Sequence, residues 1–305
     1  MKALITGAAG FLGKECVTQF KAAGYKVLTT DKAGVVDLPG NLADSVFTAS
    51  LPDVDIVVHC AAVQYVTKGV ALILRQRFFR RNNVCATRNL CSRYRSPHTH
   101  FIHVGTSMMY EQTGAAIYDI DSPMRGEGVY SRSKMDAQAF VNQLSGAATV
   151  IPCIIGGEGR EGLFRGFVRL TKRFGFVIYP GAGTHPVHMV HVHDVAGLIV
   201  LIAQQRANGW FNAAAPEPLS IGQWVDEIAD ELKLGKVRKI SFPLGPLTLL
   251  CALLGYRLLA REQLLMLRLP HVLSIDSSLR LGWKPEFSNA RIARDIARHI
   301  AREVR

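Results

Sequence analysis

The segment Thr6-Gly7-Ala8-Ala9-Gly10-Phe11-Leu12-Gly13 lies between a short apolar run, Ala3 to Ile5, and a helical pattern from Phe11 to Ala23. Strand, glycine loop and helix in that order constrain the fold more than any other feature. Gly7 permits a tight turn, Gly10 lets backbone approach a ligand closely, and Gly13 lets the helix pack against the strand. The helix start then offers free N–H groups and a positive potential, which suits a pyrophosphate. The spacing i, i+3, i+6 is weak evidence alone. Its place after a strand and before a helix is the confirming context.

The rest of the first half repeats this rhythm. Tyr25 to Thr30, Asp55 to Cys60, Phe101 to Val104 and Thr149 to Ile155 read as strands. Helices are expected over roughly Val70 to Arg95 and Tyr130 to Leu144, with Gly24 closing the first helix. Alternating strands and helices predict an α/β fold, a doubly wound parallel sheet. After Ile155 the pattern changes. A helix near Leu163 to Phe174, a strand over Val187 to Val192 and a helix from Asp194 to about Gln205 follow, with Asp194 as its expected cap. Trp210 to Ala214 reads as strand, and Ser220 caps a helix to Leu234. From Ala290 to Val304, Ile292, Ile296, Ile300 and Val304 share one helix face, with the arginines largely off it.

The 305 residues carry a net charge of +12, with 49% apolar and 20% charged residues. These values exclude a disordered or fibrous chain. No basic run or motif marks a nucleic-acid binder, so none is expected as partner. The six cysteines form no C-x-x-C pair and no zinc spacing, so no metal is expected and a reducing, cytoplasmic compartment is. The start lacks the ending of an export signal. Ile240 to Tyr256 runs 17 residues without a charge, but Pro243, Gly245 and Pro246 interrupt it. It reads as a buried or substrate-covering helix from about Leu247 rather than a membrane span; peripheral membrane contact is the lesser alternative.

Asp31 ends the second strand, where a carboxylate can accept bonds from ribose hydroxyls and repel a 2′-phosphate. A surface aspartate opening a turn is the alternative. Lys32 beside it leaves NADP open against NAD. Tyr130 and Lys134 are four apart and share a helix face. A tyrosine acting near neutrality must fall from its ordinary pKa of about 10 to about 7, and a neighbouring ammonium favours that. Thr106 follows the strand ending at Val104, with Ser107 as competitor for holding a substrate oxygen.

The order of Thr6-Gly-x-x-Gly-x-x-Gly13, His59-Cys-Ala-Ala62, Asn83-Val-Cys-Ala-Thr87, Val104-Gly-Thr-Ser-Met-Met-Tyr110, Tyr130-x-x-x-Lys134, Val190-His-Val-His-Asp-Val-Ala196 and Leu281-Gly-Trp-Lys-Pro285 resembles the extended short-chain dehydrogenases/reductases. This is the NAD-dependent epimerase/dehydratase group, and the resemblance covers nearly the whole chain. It implies a Rossmann domain over 1–155 plus about 187–215. A smaller, discontinuous substrate domain falls on about 156–186 plus 216–305. Thr106, Tyr130 and Lys134 fall on the catalytic positions. Gly7, Gly10, Phe11, Leu12, Gly13, Asp31, Asn41, Leu42, Ala61, Ala62, Asn83, Tyr130 and Lys134 fall on cofactor positions, with Asn41 making an amide contact to adenine. A homodimer through the helices near 70–95 and 130–144 is also implied.

Two departures bear on substrate. Ile151 and Ile154 stand where nucleotide-sugar enzymes of the group carry arginine and asparagine, and Val187 replaces a second arginine. With the apolar stretch Phe242 to Leu259, this is more similar to the 3β-hydroxysteroid dehydrogenase and dihydroflavonol reductase branches. The expectation is hydride transfer between nicotinamide and a secondary alcohol or ketone of a largely apolar small molecule. A nucleotide-sugar 4-epimerase is the alternative within enzymes. A non-catalytic NAD-binding scaffold or sensor is the alternative outside them, disfavoured because all three triad positions are filled.

Overall fold

The computed structural model describes residues 1–64, 70–160, 164–256 and 259–303. The strands are β1 (Lys2–Thr6), β2 (Lys26–Asp31), β3 (Leu38–Pro39), β4 (Ile56–His59), β5 (His100–Val104), β6 (Ala147–Pro152), β7 (Ile154–Gly156), β8 (Phe176–Pro180), β9 (Pro186–Val187), β10 (Met189–His191), β11 (Gly209–Ala213), β12 (Leu219–Ser220) and β13 (Arg238–Phe242). The helices are α1 (Phe11–Ala22), α2 (Ser45–Ala49), α3 (Arg75–Phe79), α4 (Ala86–Arg93), α5 (Val129–Val141), α6 (Phe164–Phe174), α7 (Val192–Gln205), α8 (Ile221–Glu231), α9 (Leu244–Leu253), α10 (Arg261–Arg268), α11 (Asp276–Arg280) and α12 (Asn289–Glu303).

Among the described residues, seven strands form the central sheet in the order β11-β6-β5-β4-β1-β2-β3. Every pairing in it is parallel. Strand alternation divides the buried side chains between two faces. Ala3, Ile5, Ile56 and Val58 pack with Leu12, Phe20 and Ile199 of α1 and α7. Leu4, Val57 and Phe101 pack with Leu90 and Val141 of α4 and α5. This is the Rossmann-like α/β arrangement. Strand order reverses beside β1, so its carboxyl edge and that of β4 open the crevice where such sheets bind ligands.

A second apolar cluster joins α6, α8 and α12 through Val168, Trp224, Ile228, Ile292, Ile296 and Ile300. The isoleucine face of the last helix is thus core, and Val304 lies outside the described residues. Three stretches differ from the sequence expectation. The strand expected to run from Thr149 to Ile155 breaks at Cys153, where the chain leaves the main sheet and β7 pairs β10 instead. The strand over Val187 to Val192 likewise splits around His188, whose Nδ1 accepts the Leu273 N–H. The long helix from Val70 to Arg95 is a 3₁₀ turn, α3, a π-turn over Arg80–Cys85 and α4.

Asp194 is not a cap. His191 occupies that position, and its Nδ1 accepts the His193 N–H. Asp194 lies in the first turn of α7 and accepts the Glu286 and Phe287 N–H groups at 3.0 and 3.1 Å. It ties the Leu281 to Pro285 element to the sheet, helped by Trp283 Nε1 donating to the Asp194 carbonyl. Ser220 does cap α8, in a reciprocal pair with Gln223. The apolar helix α9 starts earlier than expected and is neither buried nor a lid. Its residues are largely exposed, and Cys251 alone among them is buried. Among the described residues no helix is long and apolar enough to cross a membrane.

Candidate active site

The glycine loop is built as its spacing requires. Gly7 has φ +67°, and a Cβ there would lie 2.7 Å from the Ala61 backbone. A Cβ on Gly13 would lie 2.0 Å from the Gly7 carbonyl oxygen. Side chains would therefore force the β1 loop off β4 and α1 off its strand. Gly10 precedes α1 without a side-chain cap, and the first turn carries no acid. That leaves a helix start able to receive phosphate oxygens.

Two clefts meet at this loop. One, of about 360 Å³, is lined by Ala9, Asp31, Lys32, Leu42, Ala61 and Asn82, among others. Asp31 there is held by the Ala9 and Lys32 N–H groups at 3.1 and 2.7 Å. The other, of about 340 Å³, runs from Gly10 to Gly13 past Ala62 to Thr106, Tyr130 and Lys134. Together they form one trough with a carboxylate at one end, a helix start in the middle and a lysine and tyrosine at the other. That fits a dinucleotide.

Two expected cofactor residues point elsewhere. Asn41 spends its amide oxygen on the Ala43 N–H, while its neighbours Gly40 and Leu42 line the cleft. Asn83, buried on the π-turn, accepts the Val63 N–H and donates to the Val63 carbonyl and Ser133 Oγ. It braces the loop after β4 against α5, so it shapes the cleft from behind.

The helix α5 buries Tyr130 and Lys134 against the end of β5. Thr106 hydrogen-bonds Tyr130 and lines the same cavity. Ser107 is directed away, to His271 Nε2 at 2.7 Å. Lys134 Nζ donates to the Val104 carbonyl at 2.7 Å and lies 3.3 Å from His103 Nε2. Burial pulls this lysine down to about 7.

The tyrosine does not behave as its spacing to Lys134 predicts. Burial pushes the Tyr130 phenol up to about 12, and the Glu262 carboxylate adds to the rise. The Thr106 hydrogen bond and the Arg160 charge pull the other way. Desolvation of the phenolate outweighs both.

Arg160 and Glu262 were not foreseen from the sequence. Arg160 lies over the Phe11 ring and bonds Gln64 Oε1. Glu262, at the start of α10, is buried and accepts both the Ser131 N–H at 3.1 Å and the Ser131 hydroxyl at 2.8 Å. It caps α5 from another part of the chain. Gly128 makes the room: a Cβ there would lie 2.0 Å from Glu262 Oε2. No short-range motif signals a cap supplied from 131 residues away.

Beyond Tyr130 a third cavity, of about 280 Å³, opens through Ile154, Ile155 and Arg160. Phe164, Phe167, Met189, Trp224 and Leu267 are among its walls; apart from Arg160, its polar side chain among the described residues is Gln263.

A parallel sheet with a glycine-loop cleft and a Thr-Tyr-Lys cluster at its carboxyl edge defines an extended short-chain dehydrogenase/reductase. Residues 3–214 match the NAD dependent epimerase/dehydratase family, and the chain belongs to it. The 3 beta-hydroxysteroid dehydrogenase/Delta 5-->4-isomerase of Mycobacterium tuberculosis is 25% identical over 223 residues, 66% of this chain and 60% of the relative. The match therefore spans less than two thirds of that relative's length. Human epimerase family protein SDR39U1 (isoform 2), solved with NADPH, superposes with a TM-score of 0.78 at 20% identity, over 98% of this chain and 99% of its own. DesIV, the dTDP-glucose 4,6-dehydratase of Streptomyces venezuelae, solved with NAD and TYD, gives 0.76 at 22% identity, over 99% and 97%. These two likenesses establish the shared fold.

Proposed function

We propose that the protein is an NAD(H)-dependent oxidoreductase acting on a secondary alcohol or ketone of a largely apolar small molecule. The observation that carries this reading is the apolar chamber beyond Tyr130. A diphosphate needs fixed donors, most often arginines in bidentate geometry. Ile154 and Val187 in the chamber wall offer none. Past Arg160 at its mouth, charged phosphates placed there would lose hydration with little replacement.

In this reading residues 1–155 and about 187–215 hold the dinucleotide, and about 156–186 and 216–305 hold the substrate. Gly10 and the start of α1 receive the phosphates, and Asp31 receives the adenosine ribose. When bound, the nicotinamide supplies the hydride donor or acceptor and, oxidised, a positive charge near the phenol. Tyr130 Oη passes the proton to or from the substrate oxygen, and Thr106 Oγ1 orients that oxygen. Lys134 would hold the ribose of the bound dinucleotide and, where it carries its proton, would add its charge to the field that favours phenolate. A homodimer is proposed on the groove between α3 and α5, where Val84, Ala139 and Phe140 are partly exposed among charges of both signs, Arg80, Arg132 and Asp136.

One observation favours the nucleotide-sugar 4-epimerase. Arg160 stands at the junction of the cofactor cleft and the chamber. Thermal shift and turnover with NAD present separate the two readings. Sterol and flavanone alcohols should stabilise the protein and reduce NAD, and UDP- and dTDP-sugars should do neither. Saturable stabilisation by a nucleotide sugar alone, with epimer formed, overturns the proposal.

A further inference from the structure

The helix α9, Leu-Gly-Pro-Leu-Thr-Leu-Leu-Cys-Ala-Leu, holds no charge and is apolar around its circumference. Such helices are ordinarily buried. This one is not. Leu249 is 63% exposed and Leu253 76%, and Leu250 and Leu254 are exposed beside them. The patch extends beyond the helix. Leu72 packs where a Cβ on Gly255 would fall, and Arg75 donates to the Gly255 carbonyl at 2.8 Å. This brings the 3₁₀ turn Leu72–Leu74 against the end of α9, with Ile73 89% exposed. A contiguous surface of this kind marks a contact site, not ordinary scatter of apolar residues.

The charges of the two segments say what covers it. Residues 70–95 carry seven arginines and no aspartate or glutamate. Residues 238–275 carry Arg238, Lys239, Arg257, Arg261 and Arg268, and one acid, Glu262, which is buried against Ser131. Arg77 and Arg268 are exposed on the two segments that meet α9, while Arg261 pairs with Glu127 at 3.3 Å. A second copy of this chain, seated symmetrically on the patch, would bring the same basic segments against each other. Exposed leucines beside arginines instead match the boundary between acyl chains and anionic headgroups.

We propose that α9 and the Leu72–Leu74 turn form a docking surface for a bilayer containing anionic lipid. The start of α9 lies close to a stretch of chain that borders the chamber. Leu244 at the start of α9 and the carbonyl of Leu267 both lie within 3.2 Å of the Cβ position of Gly181, and Leu267 lines the chamber. The docking proposal itself rests on the patch and its charges, independent of what the chamber holds.

The test is flotation of the full chain with phosphatidylcholine vesicles, with and without phosphatidylglycerol. Wild type should float with the anionic vesicles, less as salt rises, and stay behind with the neutral ones. A Leu249→Glu/Leu253→Glu variant should lose flotation about tenfold or more, because the two side chains no longer enter the interface. Both positions are exposed, so its unfolding midpoint and NADH titration should match wild type, which separates lost docking from lost fold. A companion Arg77→Glu/Arg268→Glu variant keeps the leucines and should also lose flotation. No flotation of wild type, flotation retained by the leucine variant, or equal binding to neutral vesicles overturns the proposal. So does a wild-type dimer that becomes a monomer in the leucine variant by sedimentation velocity, since a second copy then covers the patch.

Discussion

Replacing Lys134 by methionine should make the cofactor-free protein more stable near neutrality while removing its activity. The cause is the burial of the ammonium. In the folded chain this lysine lies at about 7, against an ordinary 10.5. Between those values the unfolded chain holds a proton that the folded chain has released. Stability contributed by this group therefore rises with pH across that window. Each tenfold difference in proton affinity between the two states corresponds to ~1.4 kcal/mol, and linkage gives a gain of about 2 kcal/mol between pH 7 and pH 9 from this residue. The Lys134→Met variant lacks the gain. Its advantage over wild type should shrink by about 2 kcal/mol over the same range.

Other groups titrate there, so the comparison must be between the two proteins. Contact with Cys60 and burial hold the Cys16 thiol up, and burial holds up Cys91 and Cys153. These keep their protons when folded and lower stability as pH rises, equally in both proteins. Burial pushes His59 down to about 3 and His103 well below its ordinary value. They cost stability only as pH falls below about 6.5, outside the window. Methionine also leaves the Val104 carbonyl without its lysine donor, a cost that does not vary with pH. Denaturant unfolding of the apo proteins at several pH values reads the difference. A gap that stays constant from pH 7 to 9 refutes the reasoning, because Lys134 would then be charged and solvated throughout.

Three further outcomes are expected. Tyr130→Phe should lower turnover by about 10² or more, as loss of an acid–base group does, with NADH affinity unchanged by titration; undiminished turnover removes Tyr130 from the chemistry. Glu262→Gln keeps an amide oxygen for the Ser131 N–H but removes a carboxylate that holds Tyr130 up, so the pH–rate limb belonging to Tyr130 should move to lower pH. An unmoved limb would leave Glu262 with a structural role only. Isothermal titration should show tighter NAD(H) than NADP(H), because Asp31 repels a 2′-phosphate; a preference for NADP(H) would show that Lys32 and nearby Arg81 outweigh it.

What the sequence showed and what it hid divide along range. The glycine loop, the Tyr130–Lys134 face and Thr106 are local, and each needs only its neighbours to be placed. Asn83 looked like a cofactor contact because it stands in a familiar run of residues. Its direction depends on the π-turn Arg80–Cys85, which no periodicity in that stretch distinguishes from plain helix. The cap from Glu262 to Ser131 depends on two segments meeting across the fold. The exposure of α9 escaped for a different reason. Hydrophobic patterning reports what a helix would prefer to bury, not what covers it. Whether the rest of the chain covers it is decided by tertiary packing, which gives Cys251 a place and leaves Leu249 and Leu253 outside.

The helix α10 also joins the chamber wall to the start of α5. Within α10, Gln263, Met266 and Leu267 face the chamber, while Glu262 is bonded to the first turn of α5. One short helix carries both roles. Tyr130 therefore lies between two charges of opposite effect, Arg160 at the chamber mouth and Glu262 at its helix cap. A substrate that displaces Met266 or Leu267 bears on the helix that holds Glu262. A chamber substitution that altered only uniform binding would change KM alone. Here the wall and the cap share a helix of eight residues, so the lining of the chamber and the acidity of the tyrosine are joined through the backbone.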